Sequence, residues 1–294
     1  MSADLERQVL LQPRSQEAYM TTHTAQATSI PTGKVAPIVN PMSLEGRTVI
    51  VTGAGQGIGR AIAELVVHLG GNAVCVDMNE GAVTELRAAL GEDRTGAGIG
   101  NVTDEGFATA VVAQAVERFG GVNGLVNNAG ISQPAMADRM TTQQWQQVLD
   151  VHLTGSFLFM QAVGRHVIDA VKANEEMTCS MVNISSDAGV QGTVGQINYS
   201  AAKSGILGVT MSGAREWARY GIRVNTAAFG VVETPMTEVV RGEKFRDTYL
   251  ARIPLGRWGG ADEAAKLVCF LLSDASSYIT GQHISSNGGS QMSA

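Results

Sequence analysis

Seven short apolar runs punctuate the chain, at 48–53, 72–78, 96–101, 124–130, 180–186, 223–230 and 282–287, and stretches of helical pattern fill the gaps between them. Such alternation predicts an α/β fold: a doubly wound parallel sheet of about seven strands with helices on both faces. Ligands of such sheets bind beyond the carboxyl ends of the strands. Gly53, Asp77, Asn128, Ser186 and Gly230 all fall at such ends, so one cleft should collect them. Residues 44–294 read as a single domain. Residues 1–43 differ in character: Gln, Thr, Ser and Pro dominate from Gln12 to Ser43 without a sustained apolar period, which predicts a mobile arm or a strap across a neighbouring subunit.

The candidate chemistry begins with VIVTGAGQGIGRAIAELV at 49–66, an apolar strand that runs through glycines into a helix. Gly53, Gly57 and Gly59 follow the spacing GxxxGxG; the more familiar GxGxxG would need a glycine at Ile58. Glycines there allow a sharp turn, close approach of backbone N–H groups to a diphosphate, and tight packing of the helix on the strand. Asp77 ends the next strand, twenty residues after Gly57. Its carboxylate can bind ribose hydroxyls and would repel a 2′-phosphate, with no cation at Gln56 or Met78 to offset the repulsion, so NAD is the expected cofactor. The plainer reading is that Asp77 caps the following loop.

Tyr199 and Lys203 lie four apart in NYSAAKSG, on one helix face, with Ser186 thirteen residues upstream at the end of a strand. A phenol of ordinary pKa about 10 is a poor base at neutral pH, and an adjacent ammonium is expected to draw that value down. Ser186 would hold a substrate oxygen against the phenol. The constellation predicts reversible hydride transfer between a secondary alcohol and a ketone.

With these pieces in view, 44–294 resembles the short-chain dehydrogenases/reductases: TGAGQGIG at 52–59, NNAG at 127–130, Ser186 in NISS, YSAAK at 199–203 and SSNGG at 285–289. The resemblance implies a Rossmann-type sheet, Tyr199 as acid/base, Lys203 also gripping the nicotinamide ribose, and Ser186 orienting the carbonyl. It implies that Asn128, Ala129 and Gly130 line the adenosine side of the cofactor, that Asn101 and Val102 lie against adenine, and that Gly230, Val232 and Thr234 lie by the nicotinamide. Three departures stand out. His152, in VHLTG, replaces the family's catalytic asparagine, and is expected either to shape a water relay to Lys203, titrating near neutrality, or simply to pack. Phe229 replaces a proline beside the nicotinamide, where its ring would narrow the pocket or stack near the cofactor. Asn101 replaces an aspartate and can still hydrogen-bond adenine. The family also implies a homotetramer with helices near 141–172 and 199–219 and the C-terminal segment at its interfaces.

The substrate side is expected to involve Ser186, Ala188, Gln191, Gln196, Tyr199, Phe229 and Met236, beneath a lid formed by 231–258. Apolar residues of the lid (Met236, Val239, Val240, Phe245, Tyr249, Leu250, Ile253), with Ile131, Met136, Val190 and Val194, suggest an apolar or aromatic ketone, though the same residues would serve as lid packing. The closest competitor is a 3-oxoacyl-carrier-protein reductase, which the sequence around Tyr199 resembles. Such enzymes carry basic side chains where this chain has Gln133 and Tyr220, and usually take NADPH. Hydroxyacyl-CoA oxidation is a further alternative, as is a non-catalytic dinucleotide-binding sensor.

A net charge of −6 without a basic run argues against nucleic acid as a partner. Cys75, Cys179 and Cys269 lack paired spacing and are expected to be reduced and buried. The five histidines show no metal-ligand spacing, so no metal is expected. No membrane partner is expected either, since no stretch approaches about 18 consecutive apolar residues. The N-terminal segment has no secretory apolar core, which predicts a cytoplasmic protein.

Overall fold

A computed structural model describes residues 40–292. In chain order its strands and principal helices are β1 (Thr48–Thr52), α1 (Gly57–His68), β2 (Asn72–Asp77), α2 (Glu80–Leu90), β3 (Thr95–Ile99), α3 (Glu105–Phe119), β4 (Gly124–Asn127), α4 (Thr142–Leu149), α5 (Gly155–Lys172), β5 (Cys179–Ser186), α6 (Ile197–Trp217), β6 (Ile222–Phe229), α7 (Glu243–Leu250), α8 (Ala261–Leu272) and β7 (His283–Ser286). The strands form one parallel sheet in the order β3-β2-β1-β4-β5-β6-β7. Every residue of β1 and β4 is buried, as a strand covered on both faces requires, which is why these runs are apolar throughout instead of alternating.

Two apolar layers cover the sheet. On one face Ile62, Ala63 and Val66 of α1 meet Ala265, Val268 and Leu272 of α8 over Val49, Val51 and Val182. On the other, α3, α5 and α6 close over Ile50, Leu125 and Val224, with Phe107 and Phe159 edge-on at 6.0 Å between ring centroids. Each fully buried Val, Leu or Ile contributes roughly 1.5–3 kcal/mol. The layers hold the strand ends rigidly where the chain reverses its winding, between β1 and β4.

The helix expected across 141–172 is interrupted. A π-turn at Asp150–Thr154 separates α4 from α5 and carries His152. Side chains take up the irregular backbone: Ser156 Oγ donates to the His152 carbonyl at 2.8 Å, and Asn127 Nδ2 donates to the Ser156 carbonyl at 3.1 Å.

The arm expected over 1–43 lies outside the described residues except for 40–43. Those few belong to the domain: Pro41 O accepts from Ala275 N–H at 2.9 Å, and Met42 packs on the apolar layer beside α8.

Candidate active site

A cleft of about 310 Å³ opens beyond the carboxyl ends of the strands, and residues from six of those ends line it: Gly53, Asp77, Gly100, Asn128, Ser186 and Gly230. Its one wing is the glycine turn. Gly53 and Gly57 have φ of +67° and +56°, which side chains with a Cβ rarely adopt. Gly59 is required for a different reason, since a Cβ there would lie 2.0 Å from the Gly53 carbonyl oxygen and 2.5 Å from Asn128 Nδ2. The turn is braced from NNAG: Asn128 Nδ2 donates to the carbonyls of Thr52 and Gly53 at 3.0 and 3.2 Å, and Thr52 Oγ1 accepts from the backbone N–H groups of Asn128 and Ala129. Helix α1 starts at Gly57 without a side-chain cap and without an acid in its first turn, so its free N–H groups and positive end face the cleft.

Asp77 sits on the rim. Its Oδ2 accepts from Gly55 N–H at 2.9 Å and its Oδ1 from Asn79 N–H at 3.0 Å, so the carboxylate both braces the glycine turn and caps its own loop. Among the described residues, Asp77 and Lys203 are the only carboxylate and the only ammonium that line the cleft, and no arginine lines it. Gln56, Ile58, Met78, Asn101, Val102, Ala129, Gly130, Val232 and Thr234 also line it. The cradle at Gly57 and Gly59 and the uncapped α1 terminus fit a dinucleotide, whose nicotinamide supplies the hydride carrier for the chemistry.

The other wing holds Ser186, Tyr199, Lys203 and His152. Ser186 is the last residue of β5, and its Oγ accepts from Ala188 N–H at 3.2 Å. Helix α6 is fixed at its start by buried Asn198, whose Nδ2 donates to the carbonyls of Gln133 and Gln144 and whose Oδ1 accepts from Tyr199 N–H at 2.8 Å. One turn on, Lys203 Nζ donates to the Ile184 carbonyl at 2.6 Å and lies 5.6 Å from the Tyr199 ring centroid. The lysine's backbone is held too, because its carbonyl accepts from Ser185 Oγ at 2.8 Å.

The electrostatics correct one expectation. Burial pushes the Tyr199 phenol up rather than down, with the Ser186 hydroxyl pulling the other way. The ammonium does not offset that burial, because burial pushes Lys203 itself down to about 7. Lysine and phenol therefore share a dry corner in which proton movement near neutral pH is cheapest at the lysine.

His152 is corrected as well. It is 3 % exposed, and burial, then the Lys203 charge, lowers its pKa to about 3, so it does not titrate near neutrality. Its Nε2 meets the Ile131 backbone, 3.1 Å from the N–H and 2.9 Å from the carbonyl, while its Nδ1 is buried without a partner among the described residues. The imidazole stands edge-on to the Tyr199 ring at 5.2 Å, packed over Gly130, where a Cβ would come within 2.4 Å of Cε1.

Other parts of the substrate side are redistributed. Met236, Tyr199, Ser186 and Phe229 border the cleft, whereas Ala188, Gln191 and Gln196 do not. Phe229 is 4 % exposed, and its side chain belongs to the core layer beneath α8, so the ring does not stack in the site. Of the apolar residues expected from the lid and its surroundings, only Ile131 and Met236 reach the cleft, and Val239 is 74 % exposed. Sequence reading missed Val151, Pro235 and Thr237, which do line it. Val151 adjoins His152 in the π-turn, and Pro235 opens the short 3₁₀ turn that follows Thr234, so proximity to singled-out residues was the available signal. Asn101, besides lining the cleft, accepts from Thr103 N–H at 3.1 Å through Oδ1. Cys75, Cys179 and Cys269 are free and buried, their thiols pushed up to about 12 by burial.

Fold and site together define a nicotinamide-dinucleotide oxidoreductase. A family model described as Enoyl-(Acyl carrier protein) reductase matches residues 53–291. The 3-oxoacyl-(acyl-carrier-protein) reductase of Thermotoga maritima is 41 % identical over 250 residues, covering 84 % of this chain and 99 % of the relative. That of Escherichia coli is 38 % identical over 251 residues, covering 85 % and 100 %. Among solved structures, a short-chain dehydrogenase/reductase described as glucose/ribitol dehydrogenase from Brucella melitensis superposes with a TM-score of 0.79 at 33 % identity, covering 85 % of this chain and 99 % of its own. A gluconate 5-dehydrogenase from Burkholderia cenocepacia, in complex with NADP and tartrate, gives 0.79 at 31 % identity, covering 85 % and 96 %. The chain belongs to the short-chain dehydrogenase/reductase family.

Proposed function

We propose that this enzyme interconverts a 3-oxoacyl thioester and its 3-hydroxy form, using NAD(H). The observation that carries the substrate is the full-length similarity to 3-oxoacyl-(acyl-carrier-protein) reductases, which reverses the order in which the sequence alone ranks a free ketone and an oxoacyl group. Bound nicotinamide would donate or accept the hydride. Ser186 at the end of β5 then donates a hydrogen bond to the substrate oxygen, and Tyr199 gives that oxygen its proton in reduction or takes it in oxidation. Lys203, held on the Ile184 carbonyl and drawn down to about 7, restores the phenol's proton. His152, neutral throughout the working range, offers the unpartnered Nδ1 to a water beside that pair and orients the tyrosine ring.

Asp77 supports NAD over NADP. It stands at the ribose end of the cleft with no arginine or lysine beside it among the described residues, and Arg60, on α1, is committed to Glu64 and Glu85 at 3.0 and 3.1 Å. One structural neighbour is described with NADP, so the distinction rests on this chain's own rim.

A second reading, a dehydrogenase for a free secondary alcohol of apolar or aromatic character, is favoured by the uncharged substrate side, lined by Ile131, Val151, Pro235 and Met236. The test is oxidation of NADH and NADPH with acetoacetyl-CoA and acetoacetyl-N-acetylcysteamine against a panel of free cyclic and aryl ketones. The first reading expects kcat/KM for the thioesters to exceed that for any free ketone at least about tenfold, a difference of about 1.4 kcal/mol. The opposite order would establish the second.

A further inference from the structure

Asp187 follows the catalytic serine directly and is 7 % exposed, yet among the described residues its carboxylate has no cationic partner. It is held by neutral donors from the far end of the chain: Asn287 Nδ2 at 2.8 Å and Ser290 Oγ at 2.6 Å. Its own N–H donates to the Phe229 carbonyl at 3.2 Å, and its carbonyl accepts from Val190 and Gln191. A buried carboxylate is costly unless its oxygens are well hydrogen-bonded, so both contacts carry weight.

The loop it grips reaches one other wall of the cleft, the Gly230 turn, and the foot of the lid behind it. Asn287 winds that loop, donating from Nδ2 to the Gln291 carbonyl at 2.8 Å and accepting from Gly289 N–H at 3.0 Å. A Cβ on Gly230 would lie 3.0 Å from Asn287 Cβ, so the loop backs the turn that borders the nicotinamide end. Gly288 O accepts from Leu255 N–H at 3.1 Å, and a Cβ on Gly288 would lie 2.8 Å from Ile253 Cγ2, which puts the same loop against the foot of the lid. Serine, nicotinamide turn and lid foot therefore meet at one carboxylate.

We propose that Asp187 is a positioning residue: by anchoring the 287–291 loop it holds the Gly230 turn and the lid foot in register with the Ser186 hydroxyl. The proposal rests on the oxidoreductase reading of the site. A displacement of about an ångström at such a constellation costs up to about a hundredfold in rate.

The test uses the full chain and three variants, Asp187→Asn, Asn287→Asp and the double exchange, with acetoacetyl-CoA and NADH. The first single change removes the charge and the second sets two carboxylates face to face, while the double exchange restores a donor–acceptor pair. Each single variant is expected to lose at least about tenfold in kcat/KM while its Kd for NADH stays within about twofold, and the double variant to recover most of the loss. Wild-type kcat/KM in Asp187→Asn, or a double variant no better than the poorer single one, would overturn the positioning role. If a charge-altering variant does not fold, Ser290→Ala removes one hydrogen bond and no charge, and about a threefold loss in kcat/KM is expected of it; no loss there overturns the proposal equally. A wild-type chain that turns over no substrate at all would instead overturn the oxidoreductase reading underneath.

Discussion

At the scale of the residue, the cleft is governed by a small number of charged groups. Asp77 is the carboxylate on the rim of the cleft, and two backbone N–H groups hold it there. Such a carboxylate binds a ribose diol and repels a 2′-phosphate. Replacing it with alanine should raise kcat/KM for NADPH relative to NADH by at least about tenfold, since the repulsion disappears with the charge. A ratio unmoved in Asp77→Ala would strip it of the ribose role and leave only the loop cap. That Asp77, Tyr199 and Lys203 line one cleft was legible once spacing was read together with the other motifs, because strand ends and one helix turn fix where such side chains point. Asp187 was not legible: its partners lie 100 and 103 residues away in sequence, and only the neighbouring positions of β5, β6 and the C-terminal loop bring them together. Phe229 does border the cleft, but its packing in the core layer was not legible, since adjacency to the nicotinamide turn says nothing about which way a strand-end ring faces.

At the scale of the element, the seven strands were legible because runs buried on both faces have little freedom of composition, and their ends shifted by at most three residues. The π-turn had no such signal. It depends on Ser156 and Asn127 satisfying displaced carbonyls, and Asn127 comes from another element. Through that turn His152 becomes a buried imidazole with a pKa of about 3, against an ordinary value of 6.5. Its folded value lies below its unfolded one, so between pH 6.5 and 3 the unfolded chain binds more protons, and stability falls as pH drops through that window. The loss from this group between pH 6.5 and 4.5 is on the order of 2 kcal/mol. His152→Asn, which cannot charge, should therefore show a shallower decline of melting temperature over that interval than the wild type. Parallel declines would mean that the imidazole is not the buried neutral group described above.

At the scale of the whole molecule, the parallel sheet sets the glycine turn, Asp77 and Ser186 along one line of strand ends, and α6 adds Tyr199 and Lys203 to the same cleft, so a dinucleotide can span from the rim to that corner. Within the described residues no helix is long and apolar enough to cross a membrane. Large apolar side chains do stand exposed on the helices expected at subunit contacts, Phe157 on α5 at 49 % and Met211 on α6 at 51 %. We propose a homotetramer that covers them, and light scattering should give four times the mass of one chain; a monomer would reject that arrangement. We propose that Tyr199, in its dry corner beside Lys203, moves the proton that accompanies hydride transfer. Turnover of acetoacetyl-CoA with NADH by the wild type and by Tyr199→Phe, with NADH affinity measured in both, tests it most directly. Loss of at least about a thousandfold in kcat with Kd for NADH within about twofold is the predicted result, and a Tyr199→Phe enzyme that keeps wild-type kcat would contradict it.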